Sequence, residues 1–187
     1  MLHHTPHTLG ADLRVLRKAR GLTLSDLAET LGRSVGWLSQ VERELSEPTK
    51  SDLQQIADAL DVSVSTLAQQ ESTTANEDGY IVRKDARRPI GGRVDGLKEE
   101  LLSPDLTDDF EMVHSTFEAG ASITTPVTRP TQEVGFLLSG RLELNINGRN
   151  FTIHPGDSFR VRGEPFTWSN TSQTPAVAIW VIAPPVY

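Results

Sequence analysis

Residues 17–43 have the sequence RKARGLTLSDLAETLGRSVGWLSQVER, which predicts two short helices separated by a tight turn. Thr23 stands before an apolar-periodic run and Asp26 follows three residues later, the spacing of a capping box at the start of a helix. Gly32 ends this helix. After one linking residue, Ser34 is placed to cap the next helix with its hydroxyl oxygen.

Further amphipathic helices are predicted on both sides of this pair. Residues 9–20 (LGADLRVLRKAR) place leucines at helical spacing before Gly21. Residues 45–60 predict a loop and a fourth helix capped at Thr49 or Ser51, and residues 62–70 predict a short fifth helix that starts at Ser63 or Ser65. The predicted inward-facing positions are Leu9, Leu13, Leu16, Leu24, Leu27, Ala28, Leu31, Leu38, Val41, Leu53, Ile56, Ala57 and Leu60.

Two interpretations fit this pattern: a helical bundle without a nucleic-acid role, and a DNA-binding domain. The stretch at 17–43, followed by EPTKSDLQQIADALDVSVSTL, closely resembles the Xre (phage-repressor) family of helix-turn-helix domains over residues 9–68. The resemblance implies that residues 34–43 form the recognition helix, which enters the major groove of DNA. The DNA-binding residues expected from it are Ser34, Val35, Gly36, Trp37, Ser39, Gln40, Arg43 and Lys50.

This assignment provides few groups that read bases. Gln40 can pair bidentately with adenine and Val35 can contact a thymine methyl group, whereas Gly36 allows only close approach. Trp37 has two interpretations, a contact to phosphates or a place in the core. Because readout by one domain is thin, we expect two linked domains on one operator.

The family resemblance also assigns structural roles. Arg17 and Glu42 match positions that form an ion pair between the first helix and the end of the third. The chain departs from the family at Leu24, where Gln is common, and at Glu44, where Gly is common. The first change removes a phosphate donor and the second is expected to add repulsion near the DNA backbone.

The overall charge alone would argue against a nucleic-acid binder, since it is −7 with a pI near 5.2. Counterion release, however, depends on the few cations that reach phosphates. The absence of cysteine excludes disulfides and thiolate zinc sites. The N-terminal residues lack signal-peptide features, and no apolar run approaches the ~18 to 20 residues that span a bilayer, so we expect a cytoplasmic protein.

The remaining sequence predicts a linker and an all-β domain. Residues 1–8 are expected to form a disordered tail. Residues 71–79 are expected to form a flexible linker, because the polar run ESTTANED cannot bury apolar surface. Turns are predicted at Gly140, at Asn147–Gly148 and at residues 155–157. The predicted strands are YIVRKD, LKEELL, FEMVHSTF, EVGFLL, RLELNI, FTIHP, DSFRVR, FTWSN and AVAIWVI, which favour an antiparallel sandwich or barrel.

The segment from FEAGASITTPVTRPTQEVGFLLSG to AVAIWVI resembles the single cupin domain appended to many Xre-type regulators, over about residues 80–187. The two resemblances imply a multidomain α + β protein. A five-helix helix-turn-helix domain at residues 9–70 precedes an all-β cupin (double-stranded β-helix) barrel at residues 80–187. The positions that match the cupin framework are Glu133, Gly140, Gly148, Pro155, Gly156, Asp157 and Asn170.

Three of the four metal ligands of the cupin family are missing from this chain. Val127, Arg129 and Phe166 stand where the family has histidines, and Glu133 alone cannot hold Zn²⁺, Fe²⁺ or Mn²⁺. We therefore expect no metal, no cofactor, no catalytic residues and no enzymatic activity. A Ser-His-Asp site lacks a nucleophile signature, and the histidines are isolated or in the tail: His3, His4, His7, His114 and His154.

The vacated metal site predicts a ligand pocket. The strand period places Glu133, Gly135 and Leu137 toward the lumen, with Phe166 and Trp168 on the opposite wall. Arg129 has two interpretations: it pairs with Glu133, or it captures an acidic group on an effector. The expected ligand-binding residues are Arg129, Glu133, Phe166 and Trp168, and the expected effector carries an acidic or polar group.

The expected function is a sequence-specific transcriptional regulator whose metal-free cupin domain dimerises and senses a small metabolite. Its expected partners are a double-stranded DNA operator, a small-molecule effector and a second copy of the chain, with no membrane. Two alternatives stay open: a metal-independent cupin enzyme with a DNA-binding regulatory head, and a repressor whose barrel only dimerises it.

Overall fold

The computed structural model describes residues 8–62, 64–67, 77, 80–90, 94–104, 106 and 108–186. The predicted tail apart from Thr8, the predicted linker apart from Glu77, and Ser63 all lie outside the described residues. The chain forms two compact units. Residues 1–90 with 103–108 and 187 form the first, and residues 91–102 with 109–186 form the second.

The first unit begins with the predicted helices. Four of them have seven or more residues, and the expected fifth helix is a single four-residue turn among the described residues, since residues 63 and 68–70 of the predicted segment lie outside them. Among the described residues, no helix is long and apolar enough to cross a bilayer. The helices are α1 (Leu9–Ala19), α2 (Leu24–Thr30), α3 (Val35–Glu42), α4 (Lys50–Leu60) and α5 (Val64–Leu67).

Side-chain caps fix the helix starts. Thr23 and Asp26 form the predicted capping box of α2, and the Ser34 hydroxyl accepts from the Trp37 amide at the start of α3. The cap of α4 is Thr49, one of the two predicted residues, again in a capping box. Thr8, predicted to be in the tail, instead caps α1 by accepting from an amide of its first turn.

The helical core consists of most of the predicted inward-facing residues. Leu9, Leu24, Leu31 and Leu53 are only half-buried, because they lie at the edge of the apolar stripes. The fully buried members are Leu13, Leu16, Leu27, Ala28, Leu38, Val41, Ile56, Ala57 and Leu60.

The first unit continues beyond the helices to Ile90. Strand β1 (Arg88–Ile90) brings the Arg88 guanidinium 2.8 Å from the Asp12 carboxylate of α1, and both side chains are buried. The predicted strand at residues 80–85 is wrong. This segment is extended chain that leads into the 3-10 helix Lys84–Ala86, since its exposed apolar residues have no buried face to alternate with.

The second unit is a sandwich of two antiparallel sheets. Its strands are β2 (Leu97–Leu101), β3 (Glu111–Phe117), β4 (Gln132–Ser139), β5 (Leu142–Ile146), β6 (Arg149–Ile153), β7 (Ser158–Arg162), β8 (Phe166–Ser169) and β9 (Ala176–Ala183). Within this unit the larger sheet has the order β2-β3-β9-β4-β7, and the smaller has the order β6-β5-β8. Asn147 and Gly148 both have positive φ, which suits the tight β5–β6 hairpin.

The predicted closed barrel is not formed by the described strands. No backbone ladder among them joins the two sheets, so β6 and β7 are edges. Aromatic side chains pack between the sheets, with ring centroids 4.7 Å apart for Phe117 and Trp168 and 6.2 Å apart for Phe166 and Trp180. Side-chain packing therefore holds the sandwich together where the barrel prediction required a continuous ladder.

Candidate functional site

One face of α3 presents the predicted recognition surface. Val35 is 44% exposed, and Gly36 and Gln40 are exposed beside it. Leu38 and Val41, on the opposite side of the helix, are buried. Of the other predicted DNA-binding residues, Ser34, Arg43 and Lys50 are exposed, while Trp37 and Ser39 are half-buried.

Trp37 lies at the boundary between surface and core. The Arg33 guanidinium stacks over its ring at 5.1 Å from the centroid, and the same guanidinium forms an ion pair with Asp52 of α4. These contacts hold the indole at the start of α3. The structure thus gives Trp37 a packing role and leaves part of the ring accessible.

Arg17 and Glu42 form the expected ion pair. The guanidinium makes two hydrogen bonds to the carboxylate, at 2.6 and 3.0 Å, and a third to the Leu22 carbonyl at 2.7 Å. Both side chains are nearly buried, and the hydrogen bond to Glu42 raises the pKa of Arg17 above its ordinary value. This bidentate pair fixes α1 against the end of α3.

Glu44 has a structural role that the sequence did not indicate. It adopts a left-handed conformation, with φ of 58°, which explains why glycine suits this position. Its carboxylate accepts a hydrogen bond from the Gly10 amide in the first turn of α1. Because a carboxylate is stabilised at a helix N-terminus, part of its charge is offset there, and the expected repulsion of DNA is reduced.

The inward face of β4 is as predicted. Glu133, Gly135 and Leu137 are buried, and the residues between them are exposed. The ring of Phe159 lies over Gly135, where a Cβ atom would come within 2.2 Å of it. The aromatic ring therefore occupies the space that a side chain at Gly135 would need.

Arg129 and Glu133 lie within ion-pair reach. Their closest nitrogen and oxygen are 3.9 Å apart, and the Arg129 side chain is 39% exposed. The nearer partner of Glu133 is the Thr131 hydroxyl, which donates to the carboxylate at 2.7 Å. The first interpretation of Arg129 is thus the arrangement in this structure, although the pair is long.

The positions of the absent metal ligands do converge. The backbones of Val127 and Phe166 exchange two hydrogen bonds of 2.9 Å, so the two residues lie side by side at the β8 edge of the smaller sheet. Their apolar side chains cannot ligate a metal, and the described residues contain no cluster of three His, Cys, Asp or Glu that could. The donor set therefore does not fit the metal of the cupin family.

Phe166 and Trp168 both face the interior of the sandwich from β8 and are buried. His114 and His154 lie elsewhere: His114 is half-buried, with its Nδ1 atom 3.7 Å from a Glu100 carboxylate oxygen, and His154 is exposed. Phe166 and Trp168 thus line the interior of the sandwich, whereas His114 and His154 do not.

Glu111 is a second interior carboxylate that the sequence interpretation missed. It is 2% exposed, on β3 opposite Ile182 of β9, and Glu133 flanks the same Ile182 from β4. The Val186 amide donates to its Oε1 at 3.1 Å. Burial raises the pKa of Glu111 to about 7. The sequence did contain a signal for it. Glu111 is an even number of residues before Val113 and Phe117 in the alternating strand FEMVHSTF, so it is expected on the same inward face.

Comparisons with known proteins agree with this two-part structure. Family models described as "Helix-turn-helix domain" and "Cupin domain" match residues 8–70 and 113–182. The transcriptional regulator PuuR of Escherichia coli K12 is 26% identical over 167 residues, 87% of this chain and 88% of PuuR. The regulator SutR of the same strain is 31% identical over 154 residues, 81% of this chain and 80% of SutR. The chain belongs to the family of HTH-type transcriptional regulators.

A structural comparison supports the fold of the second unit of this regulator. The structure of KdgF from Halomonas sp. has a TM-score of 0.50 and 18% sequence identity, and the match covers 58% of the regulator and 96% of KdgF. At this identity the likeness concerns the fold alone. The two family models place the cupin domain after the helix-turn-helix domain in this regulator, as the sequence resemblance implied.

Proposed function

We propose that this regulator binds a two-fold symmetric operator in the cytoplasm as a homodimer, and that its cupin domain senses a small metabolite without catalysis. The observation that carries the proposal is the exposed face of α3, where Val35, Gly36 and Gln40 are accessible to base edges. In helix-turn-helix proteins this part of the recognition helix enters the major groove.

The limited readout favours a dimer. Gln40 is the main base-reading group on α3, while Arg43 and Lys50 provide exposed cations for phosphates. One such domain falls short of the roughly 10⁻⁸ M affinity that is typical of specific sites. Two domains held together by their cupin units would reach it through their high effective concentration.

An apolar surface suited to a second copy lies on the outer face of the larger sheet. Val134 and Met112 are both register partners of Val181, and Phe136 stands two residues further along β4. We define the outer sheet patch as Met112, Val134, Phe136, Leu138 and Val181, all exposed. A contiguous exposed patch of this kind typically marks a protein interface.

The interior of the sandwich is the proposed effector site. Arg129 and Glu133 supply its charged end, and Phe166 and Trp168 supply an apolar wall. Binding there would change the stability of the cupin unit and thereby bias operator binding. A metal-independent enzyme and a repressor whose cupin unit only dimerises are the alternatives.

The alternatives are separated by three measurements on the purified regulator. A metabolite that raises the melting temperature and also shifts operator affinity supports sensing. Turnover of that metabolite would support the enzyme, and an unchanged operator affinity would support a scaffold. Elemental analysis that finds about one transition metal per chain would contradict the proposed metal-free site.

The DNA-binding assignment is tested by substitutions on α3. Gln40→Ala should cost ~1 to 3 kcal/mol on the operator and relax selection at one base pair. Arg43→Ala should weaken all DNA sequences alike and lower the slope of affinity against salt. Competition binding with operator and unrelated DNA measures both effects.

Two variants serve as matched controls. Gln55→Ala removes an exposed glutamine from α4, and Arg149→Ala removes one positive charge from the second unit. Neither should change operator selection or the salt slope. If Gln40→Ala behaves like Gln55→Ala, α3 is not the reading helix.

A further inference from the structure

The inner face of the larger sheet carries more negative than positive side chains. Glu111 and Glu133 flank Ile182, and Glu99 of β2 accepts a hydrogen bond of 3.1 Å from the buried Ser115 hydroxyl on the same face. The Arg129 guanidinium lies 3.9 Å from the Glu133 carboxylate, and its side chain is 39% exposed. Two carboxylates deep in the interior and one partly solvated guanidinium leave the buried end of the site acidic.

One oxygen of the Glu111 carboxylate has no hydrogen-bond donor among the described residues. The Oε1 atom accepts from the Val186 amide, whereas Oε2 is buried and receives no hydrogen bond from any described residue. A buried acceptor of this kind costs free energy unless a donor reaches it. Glu111 is only 2% exposed, so bulk water does not supply this donor, and a ligand inside the sandwich could.

The positions of the Glu111 and Glu133 carboxylates indicate which kind of ligand group could donate to them. Neighbouring strands are about 4.8 Å apart, so β3 and β4, on either side of β9, hold the Glu111 and Glu133 backbones roughly 10 Å apart. A ligand nitrogen with several N–H groups could donate to both inward carboxylates, which lie on either side of Ile182. An anion would instead face both carboxylates. No cluster of three metal-binding side chains exists among the described residues, which disfavours a metal cation.

We propose that the interior site takes a small organic amine, whose ammonium group donates to Oε2 of Glu111 and to Glu133. Its apolar part packs against Phe166 and Trp180, whose ring centroids are 6.2 Å apart. This inference deepens the proposed effector function and rests on it. An amine has the opposite charge to the acidic effector that Arg129 suggested. The difference arises because Glu111 places a second buried carboxylate in the site.

The experiment compares n-butylamine, 1-butanol and butyrate, which have the same carbon chain and differ in charge. The thermal shift of the full chain is measured with each probe, for the wild type and for Glu111→Gln, Arg129→Ala and Glu143→Gln. Glu143 lies on β5 and pairs with Arg141 at 3.3 Å, so its substitution is a control for the loss of one carboxylate.

Glu111→Gln and Arg129→Ala are expected to change butylamine binding differently. Butylamine raises the melting temperature of the wild type and of Glu143→Gln, and Glu111→Gln loses most of that shift. Arg129→Ala binds butylamine at least as tightly as the wild type, because it removes a competing cation. Butylamine affinity also rises between pH 6 and pH 8, as a proton leaves the carboxyl that receives the ammonium group.

Several outcomes would overturn the amine assignment. These are a larger shift with butyrate or butanol than with butylamine, a butylamine shift that Glu111→Gln retains, or no butylamine shift in the wild type. Operator affinity is measured in parallel. A full chain that binds its operator and responds to butyrate keeps the proposed regulator and loses only the amine, whereas a chain that binds no operator contradicts the proposed function itself.

Discussion

At the residue scale, Glu111 makes the stability of the cupin unit depend on pH. Burial raises its pKa from 4.5 to about 7, the Val186 amide and Arg129 oppose this rise, and Glu99 and Glu133 add to it. The folded state therefore binds the proton more tightly than the unfolded chain between these two values. The free energy of unfolding should fall as pH rises from 4.5 to about 7, by about 3 kcal/mol in total.

Glu111→Gln should remove this decline. Urea unfolding of the wild type and the variant at several pH values between 5 and 8 measures the difference, which should favour the variant increasingly toward pH 8. Glu143→Gln, a substitution of a half-buried carboxylate on β5, should follow the wild type. Parallel pH profiles for wild type and Glu111→Gln would show that Glu111 ionises as an exposed glutamate does.

At the element scale, a substitution at Gly36 should affect the stability of α3 and its binding to DNA in opposite directions. A Cβ atom at Gly36 would meet nothing closer than the Ser34 hydroxyl, at 4.0 Å. Gly36→Ala should therefore raise the stability of the helix-turn-helix unit by up to about 1 kcal/mol. If α3 approaches DNA closely at this residue, the same substitution should weaken operator binding, which fluorescence anisotropy measures.

Gly10→Ala is the contrasting variant for this prediction. A Cβ atom there would lie 2.6 Å from the Val41 carbonyl and from the Glu44 carboxylate. It should therefore destabilise the packing of α1 on α3. A Gly36→Ala protein that is more stable and binds the operator with unchanged affinity would place the DNA away from this part of α3.

The elements also show which features the sequence could predict. The caps at Thr23, Ser34 and Thr49 depend on residues three positions away, and the inward face of β4 depends on local alternation, so both were predictable. The inward position of Glu111 could be read from the alternation of its strand, but its partner, the Val186 amide, could not, because that amide is 75 positions along the chain. Strand pairing, which the sequence pattern does not specify, brings the two together.

At the scale of the whole molecule, the outer sheet patch should hold the dimer. Phe136→Glu places a charge in the patch and should shift the regulator toward monomer, with weaker operator binding. Sedimentation velocity measures the oligomeric state. Phe151→Glu is the matched control, because Phe151 is similarly exposed but lies on β6 of the smaller sheet. A Phe136→Glu protein that sediments as wild type would exclude the patch as the interface.

The first unit should require residues beyond the helices. A fragment ending at residue 70 lacks Arg88, the buried partner of Asp12, whereas a fragment ending at residue 90 keeps it. Removing one member of a buried ion pair typically costs about 3 to 5 kcal/mol, so the longer fragment should melt at a distinctly higher temperature. Arg88→Met in the longer fragment should lose much of this advantage. Equal melting temperatures for the two fragments would show that Arg88 adds nothing to the helical core.

The same ion pair bears on how regulators of this kind exchange parts. A recombination breakpoint between codons 70 and 88 would give the recipient gene a DNA-binding head whose Asp12 has lost its arginine. Because residues 103–108 also group with the head, a breakpoint after codon 90 still divides one compact unit. Chimeric regulators joined between residues 70 and 88 therefore start with a disrupted Arg88–Asp12 contact, which further substitutions have to repair. Breakpoints that keep both residues from the same parent should be enriched among the chimeras that survive selection.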